Sequence, residues 1–147
     1  MRTWVSLLLA SALLVGCGSG GGPEGDRYLS ALAAEQHKLG GAEQQIPRHP
    51  RTGADLAKSI ALLHVAIQRL ANDLAQIRPP RSVLALHEQL VAVARSYAQR
   101  LGEIERTAGR RDGLAAAADQ LNSSTRQASS AFAQTTQRIV QSLHGHT

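Results

Sequence analysis

The chain has 147 residues, of which 43% are hydrophobic but only 3% aromatic, and its formal net charge at pH 7 is +5. This length suits a single domain rather than several. With so few aromatic rings, the core must be built from Leu, Ile, Val and Ala, a set of residues that favours helices over sheets.

The first 16 residues have the pattern of an export signal. Met1 and Arg2 form a short positive start, and an apolar run follows from Trp4 to Gly16. A helix that crosses a bilayer needs about 20 apolar residues, and this run is clearly shorter. We therefore favour a cleaved signal peptide, residues 1–16, over a permanent membrane span.

The end of that run resembles the lipobox of bacterial lipoproteins, through Leu14, Val15, Gly16 and Cys17. The resemblance implies that a signal peptidase cuts before Cys17, that its thiol carries a diacylglyceryl group, and that its new amino terminus can be acylated. Cys17 is also the only cysteine, so an exported chain offers it no disulfide partner. The alternative is a chance cysteine at the end of an ordinary signal. We expect a lipoprotein anchored to the cell membrane at its extracytoplasmic face, where two acyl chains suffice for stable anchoring.

The segment after the cysteine is rich in glycine and has almost no side chains to bury. Residues 17–25 are therefore predicted to be the lipidated cysteine and a flexible tether, and residues 26–147 to be the helical domain. Eight residues of such a tether span about 15 Å on average. The first helix is expected to run from an N-cap at Asp26 to a stop at Gly40–Gly41. Its apolar residues are Leu29, Leu32 and Leu39.

The second predicted helix has the clearest amphipathic pattern, with apolar residues at steps of four and three over about six turns. These residues are Leu56, Ile60, Leu63, Ile67, Leu70, Leu74 and Ile77. Because the residue before a proline avoids helical angles, Arg78 ends this helix before Pro79. Pro80 then suits the first turn of the next helix.

The third and fourth predicted helices are also amphipathic. The third ends near Arg106 and has on one side Val83, Leu86, Leu90, Val93, Tyr97, Leu101 and Ile104. The fourth begins after an N-cap at Asp112. Its stripe contains small and hydroxylated residues that bury little: Leu114, Ala118, Leu121, Thr125, Ala128, Phe132, Thr135 and Ile139.

These patterns predict an all-α fold, an up-down bundle of about four antiparallel helices, because the connections between them are short. The first helix is expected to be the shortest and the last to fray at its end. An intermolecular coiled coil is the alternative, since regular stripes can pair between chains as well as within one. The proline and glycine breaks favour folding back within the chain.

The sequence has no nucleotide-binding glycine loop and no G-x-S-x-G motif, and we expect neither an enzyme nor a cofactor. The histidines raise the question of a metal site. In a hairpin that turns near Pro79, His64 and His87 lie about 12 Å apart along the helices, too far to share one metal. We expect both to shield the edge of the core. His144 and His146 form a terminal His-Gly-His, for which a disordered tail is the simpler interpretation.

Five arginines fall in the first and third loops, which share one end of an up-down bundle: Arg48, Arg51, Arg106, Arg110 and Arg111. This end points away from the tether, so it can contact an anionic envelope polymer, a lipid headgroup or an acidic partner protein. The alternative, which the sequence alone favours, is that Arg106 complements a helix C-terminus and the others keep the loops soluble. Nucleic acid is not an expected partner, because interleaved aromatic residues are lacking.

Three classes of function remain. The first, which we favour, is a non-enzymatic envelope protein that binds another macromolecule or acts as a spacer. The second is a carrier that holds a ligand or metal in the bundle interior or on the histidines. The third is an enzyme whose site is scattered beyond recognition in the sequence.

Overall fold

A computed structural model describes residues 22–44 and 50–145. These residues form four α-helices: α1 (Gly22–Glu43), α2 (Gly53–Gln76), α3 (Leu84–Ala108) and α4 (Leu114–His144). The prediction of an all-α bundle of four helices is confirmed. The predictions for the signal peptide, the lipobox with Cys17, and Arg48 lie outside the described residues.

The helices pack in an up-down arrangement. The most extensive packing joins α2 to α3 and α3 to α4, while α1 packs mainly on α2. At the seam between α1 and α4, the Cα of Gly25 faces Leu143, whose side chain would lie 3.6 Å from an added Cβ. The start of α1, the Pro79–Pro80 turn and the end of α4 therefore share one end of the bundle, and the other two connections share the opposite end.

The local sequence explains where α2 begins and ends. Thr52 forms a capping box, in which its hydroxyl accepts from the Asp55 N–H at 3.1 Å and the Asp55 carboxylate accepts from the Thr52 N–H at 3.2 Å. Both bonds satisfy amide groups that have no partner within the helix. The helix ends at Gln76 and Ile77 is its extended C-cap, two residues before Pro79 and slightly earlier than the predicted end at Arg78. Most of the predicted stripe is buried: Leu56, Ile60, Ile67, Leu70 and Leu74.

The limits of α1 differ from the prediction at both ends. The helix begins at Gly22, so residues 22–25 of the predicted tether are helical and Asp26 is not the N-cap. It also continues through Gly40–Gly41 to Glu43. Glycine costs about 1 kcal/mol relative to alanine inside a helix, but packing of the apolar face offsets such costs, and Tyr28, Leu32 and Leu39 of this face are buried.

The turn into α4 also differs from the prediction, because Gly113 rather than Asp112 is the N-cap. A Cβ at position 113 would overlap the Thr107 carbonyl, so the turn requires glycine at this point of close approach. As predicted, α4 buries mainly small and hydroxylated residues, and α1, with 22 residues, is the shortest of the four helices.

The buried hydrophobic residues lie between Tyr28 and Leu143 and come from the four helices and a short 3-10 turn, Arg81–Val83. The best-buried large side chains include Leu56, Ile60 and Leu101. Within the described part of the chain, this core is therefore formed jointly by the four helices.

Candidate functional site

Four of the five predicted arginines lie at one end of the bundle and are exposed: Arg51, Arg106, Arg110 and Arg111. We call this end, formed by residues 50–55 and 105–113, the basic end. Arg48, the fifth, falls in residues 45–49, which the structure does not describe. The α1–α2 connection and the α3–α4 turn, which the sequence pattern assigned to a common end, therefore lie at the same end of the bundle.

The backbone of the basic end is tightly packed. An added Cβ at Gly53, the first residue of α2, would lie 2.6 Å from the Ala108 carbonyl oxygen at the end of α3. The turn between α3 and α4 is closed by backbone hydrogen bonds of 3.1 Å from Arg110 to Thr107 and from Gly113 to Arg110. The arginines of this turn are thus carried on a fixed backbone.

Arg51 lies directly before Thr52, the N-cap of α2. The hydrogen bond with the Thr52 side chain is the main cause that holds the pKa of the Asp55 carboxyl below its usual range, with smaller contributions from the backbone N–H groups of Thr52 and Arg51 and from Lys58. Arg106 lies in the last turn of α3, where a cation interacts favourably with the helix dipole. That position fits the alternative interpretation of Arg106, whereas Arg110 and Arg111 lie beyond the helix.

The charge of the basic end is only moderately positive, because its four arginines lie among three carboxylates: Asp55, Glu105 and Asp112. Within residues 22–44 and 50–145, however, none of these arginines makes an ion pair within 4.0 Å. Glu105 instead faces His64, with Nδ1 and Oε2 3.7 Å apart. The guanidinium groups therefore remain open to solvent and to an anionic partner.

The structure places His64 and His87 far apart along the bundle and gives them different surroundings. His64 is half-buried and packs against Gly102 of α3, as expected for the edge of the core. His87 is buried with only 4% of its surface exposed, so the prediction of an edge position is wrong for this residue. Since His64 packs against Gly102, 15 residues beyond His87 along α3, the two histidines are about 22 Å apart along the helix. This separation is larger than the 12 Å expected from the sequence, and it also excludes a shared metal ion.

His87 is held by a tyrosine that the sequence analysis did not single out. Its Nδ1 lies 3.0 Å from the Tyr28 hydroxyl of α1, and the two rings meet edge to face at 5.7 Å. Burial lowers the pKa of His87, opposed by a hydrogen bond to the backbone of Leu74 and by Glu88. Burial also raises the pKa of Tyr28 to about 12. Tyr28 stands four residues before Leu32, on the same helical face, and that spacing is the signal that identifies it.

No group of three or more potential ligand side chains that suits a metal ion occurs among the described residues. His144 is the last residue of α4 and is exposed, and His146 lies outside the described part of the chain. No helix in residues 22–44 and 50–145 has both the length and the hydrophobicity to cross a membrane. Comparison with known protein families, curated proteins and solved structures finds no match to this chain.

Proposed function

We propose that this chain is a lipid-anchored protein on the extracytoplasmic face of the cell membrane that acts without catalysis, as a binding or structural module. The export signal pattern and the lipobox-like end at Cys17 support the anchor. The observation that carries the binding role is the placement of exposed arginines at the end of the bundle opposite the start of α1.

The dimensions of the bundle suit a module that reaches away from the membrane. Helix α1 begins five positions after Cys17, so an anchor there keeps the start of α1 near the lipid surface. Helix α3 has 25 residues and is about 37 Å long at 1.5 Å per residue. The basic end would then lie several nanometres from that surface, where an envelope polymer or another protein is within reach.

The chemistry of the basic end favours a partner with phosphate or carboxylate groups. Arginine presents a planar fork of donors that matches these anions in a bidentate manner. Exposed charges chiefly accelerate and orient binding, and their effect falls with salt. We therefore expect salt-sensitive binding to an anionic envelope polymer or an acidic protein.

Charge reversal at the basic end tests this role. Arg110→Glu with Arg111→Glu should abolish co-sedimentation with polyphosphate or polyglutamate. The matched control is Arg78→Glu with Arg81→Glu, which changes the net charge by the same amount at the opposite end of the bundle and should retain most binding. Equal losses in the two double variants would refute a localised site, and no loss in either would refute the binding role.

The second candidate function is that of a carrier. Among the described residues, the interior of the bundle favours an apolar ligand over a metal, because a narrow cavity lined mostly by apolar side chains lies between the helices. This second function depends on neither the anchor nor the basic end.

A further inference from the structure

An open groove of about 290 Å³ runs between α3 and α4 and is lined by residues of these two helices alone. Its floor is formed by the buried residues Tyr97 and Ala128. Its walls consist mainly of small side chains that are at least partly exposed, which are Ala92, Ser96, Ser124 and Ala131. Because these side chains are short, the groove stays open along its length and suits an extended ligand.

The length of the groove matches a short stretch of extended peptide. On α3 it reaches from Gln89 to Arg100, and the 11 residues from position 89 to 100 correspond to about 16 Å. An extended chain rises about 3.3 Å per residue, so about five residues span this distance. The side-chain amides of Gln89 and Gln127 can each donate and accept hydrogen bonds, as the backbone groups of such a peptide require.

Arg100 provides the charged group at one end of the groove. Its Nη1 donates to Gln127 Oε1 of α4, a bond that joins the two walls. Since arginine has five N–H donors, this bond leaves others for a ligand. Within residues 22–44 and 50–145, Arg100 makes no ion pair within 4.0 Å. The guanidinium group is therefore held across the groove with donors that a carboxylate can accept.

The charge around the groove favours an anionic ligand. No carboxylate of the described residues lines it, and Glu88 and Glu103, next to it in the sequence of α3, lie outside the lining. From residue 120 to its end, α4 contains Arg126 and Arg138 but no Asp or Glu. Arg138 follows Ala131 by seven residues and so shares its side of α4, beyond the Gln89 end of the groove. Such one-signed charge selects partners of the opposite sign.

We propose that the groove between α3 and α4 binds an extended peptide segment of small residues that carries a carboxylate at its Arg100 end. The peptide backbone lies along the short side chains of the walls, and the carboxylate accepts from the Arg100 guanidinium group. Because alternate side chains of an extended segment point into the groove, a continuous run of glutamates does not fit. The site depends on neither the anchor nor the basic end.

Titration of the full chain with three capped peptides, followed by NMR, tests the proposal. Each probe has four alanines followed by aspartate, asparagine or lysine, with an acetylated amino terminus and an amidated carboxyl terminus. The aspartate peptide should bind with one-to-one stoichiometry and about fivefold more tightly than the asparagine peptide, as expected for one bidentate ion pair at a partly exposed site. The lysine peptide should bind most weakly. No binding of the aspartate peptide, or equal affinities of the aspartate and asparagine peptides, would overturn the proposal.

Adjacent serines on α4 provide a matched pair of variants that tests the position of the peptide. Ser124 lines the groove, whereas Ser123 is exposed and lies outside the lining. Ser124→Phe should weaken binding of the aspartate peptide at least about fivefold, and Ser123→Phe should leave it unchanged. Equal effects of the two substitutions would contradict binding in the groove. If Ser124→Phe lowers the helix content, Ala92→Phe blocks the groove from α3, with Gln99→Phe, at an exposed position outside the lining, as its control.

The role of Arg100 is tested separately. Arg100→Gln should remove the preference for the aspartate peptide over the asparagine peptide, and Arg95→Gln, at an exposed residue of the same helix outside the lining, should keep it. A preference that survives Arg100→Gln would overturn the assignment of the carboxylate to this residue. The double variant Arg110→Glu with Arg111→Glu should bind the aspartate peptide as the unchanged chain does. A loss of binding there would place the peptide at the basic end and overturn the proposal.

Discussion

The Tyr28 hydroxyl is expected to stabilise the attachment of α1 to the rest of the bundle. In Tyr28→Phe, the Nδ1 atom of His87, now 3.0 Å from that hydroxyl, loses its partner while the ring stays buried. An unsatisfied buried polar group costs about 1–3 kcal/mol. For a body of this size, 1 kcal/mol shifts the Tm by about 4 °C. The Tm measured by circular dichroism at pH 7 should therefore fall by roughly 4–12 °C.

A double-mutant cycle separates the hydrogen bond from general packing effects. His87→Leu alone leaves the Tyr28 hydroxyl without its partner, whereas the double variant with Tyr28→Phe replaces both groups by apolar ones, a change that can be nearly neutral. The double variant should therefore be less destabilised than the sum of the single variants. An unchanged Tm in Tyr28→Phe, or strict additivity in the cycle, would refute the reasoning.

The same pair predicts how stability depends on pH. Burial lowers the pKa of His87 in the folded state below 6.5, so its contribution to stability is fully present above pH 6.5 and is lost as the pH falls below that value. The pKa of Tyr28 is raised from 10.0 to about 12, so stability is also lost as the pH rises above 10. Both losses should be smaller in the double variant. Identical pH profiles of Tm for the two proteins would contradict this account.

Three further predictions concern packing and anchoring. In Gly53→Ala, the new Cβ would lie 2.6 Å from a carbonyl oxygen of α3, so the free energy of unfolding measured with denaturant should fall by about 1–3 kcal/mol. Gly41 has open space around it, so Gly41→Ala should instead raise the free energy of unfolding by about 0.5–1 kcal/mol. Leu101→Ala, at a fully buried position, should cost about 2–5 kcal/mol, and Leu62→Ala, at a side chain that is 53% exposed, less than about 0.5 kcal/mol. Cys17→Ser should abolish incorporation of a palmitate probe in cells, and continued incorporation would refute the lipid site.

The hydrophobic pattern was sufficient to predict the helices whose faces are strongly apolar. In α2, the apolar residues from Leu56 to Leu74 recur at steps of four and three, which does not match the two-residue period of a strand. The prolines that follow predict approximately where this helix ends. In α4, the weak stripe of small residues still has the helical period, and Thr125 is buried beside Tyr97, with their hydroxyl oxygens 2.8 Å apart. The spacing of the apolar residues along the chain therefore predicted these two helices better than the overall hydrophobicity of each segment.

The errors arose where tertiary packing outweighs local preference. Glycines at both ends of α1 indicated a tether and a stop, but contacts of Gly25 with α4 and of the apolar face with α2 favour the helix. At the start of α4, the Thr107 carbonyl approaches position 113 so closely that a side chain would not fit there. Gly113 is therefore the N-cap, although Asp112 is the better capping residue by local preference. Neither contact is visible in the local sequence.

The site residues divide in the same way. The common end of Arg51, Arg110 and Arg111 follows from helix count and short loops, so the sequence was enough to predict it. The burial of His87 and its bond to Tyr28 join positions 59 apart in the chain, and the cavity depends on side chains from all four helices. Such features require the packed structure.

Mass spectrometry of the amino-terminal peptide, taken from the protein isolated with the membrane fraction of its own cells, tests the proposed anchor most directly. We expect a peptide that begins at Cys17 and carries a diacylglyceryl group on the sulfur. An unmodified thiol at Cys17, or mature protein that retains residues 1–16, would contradict it.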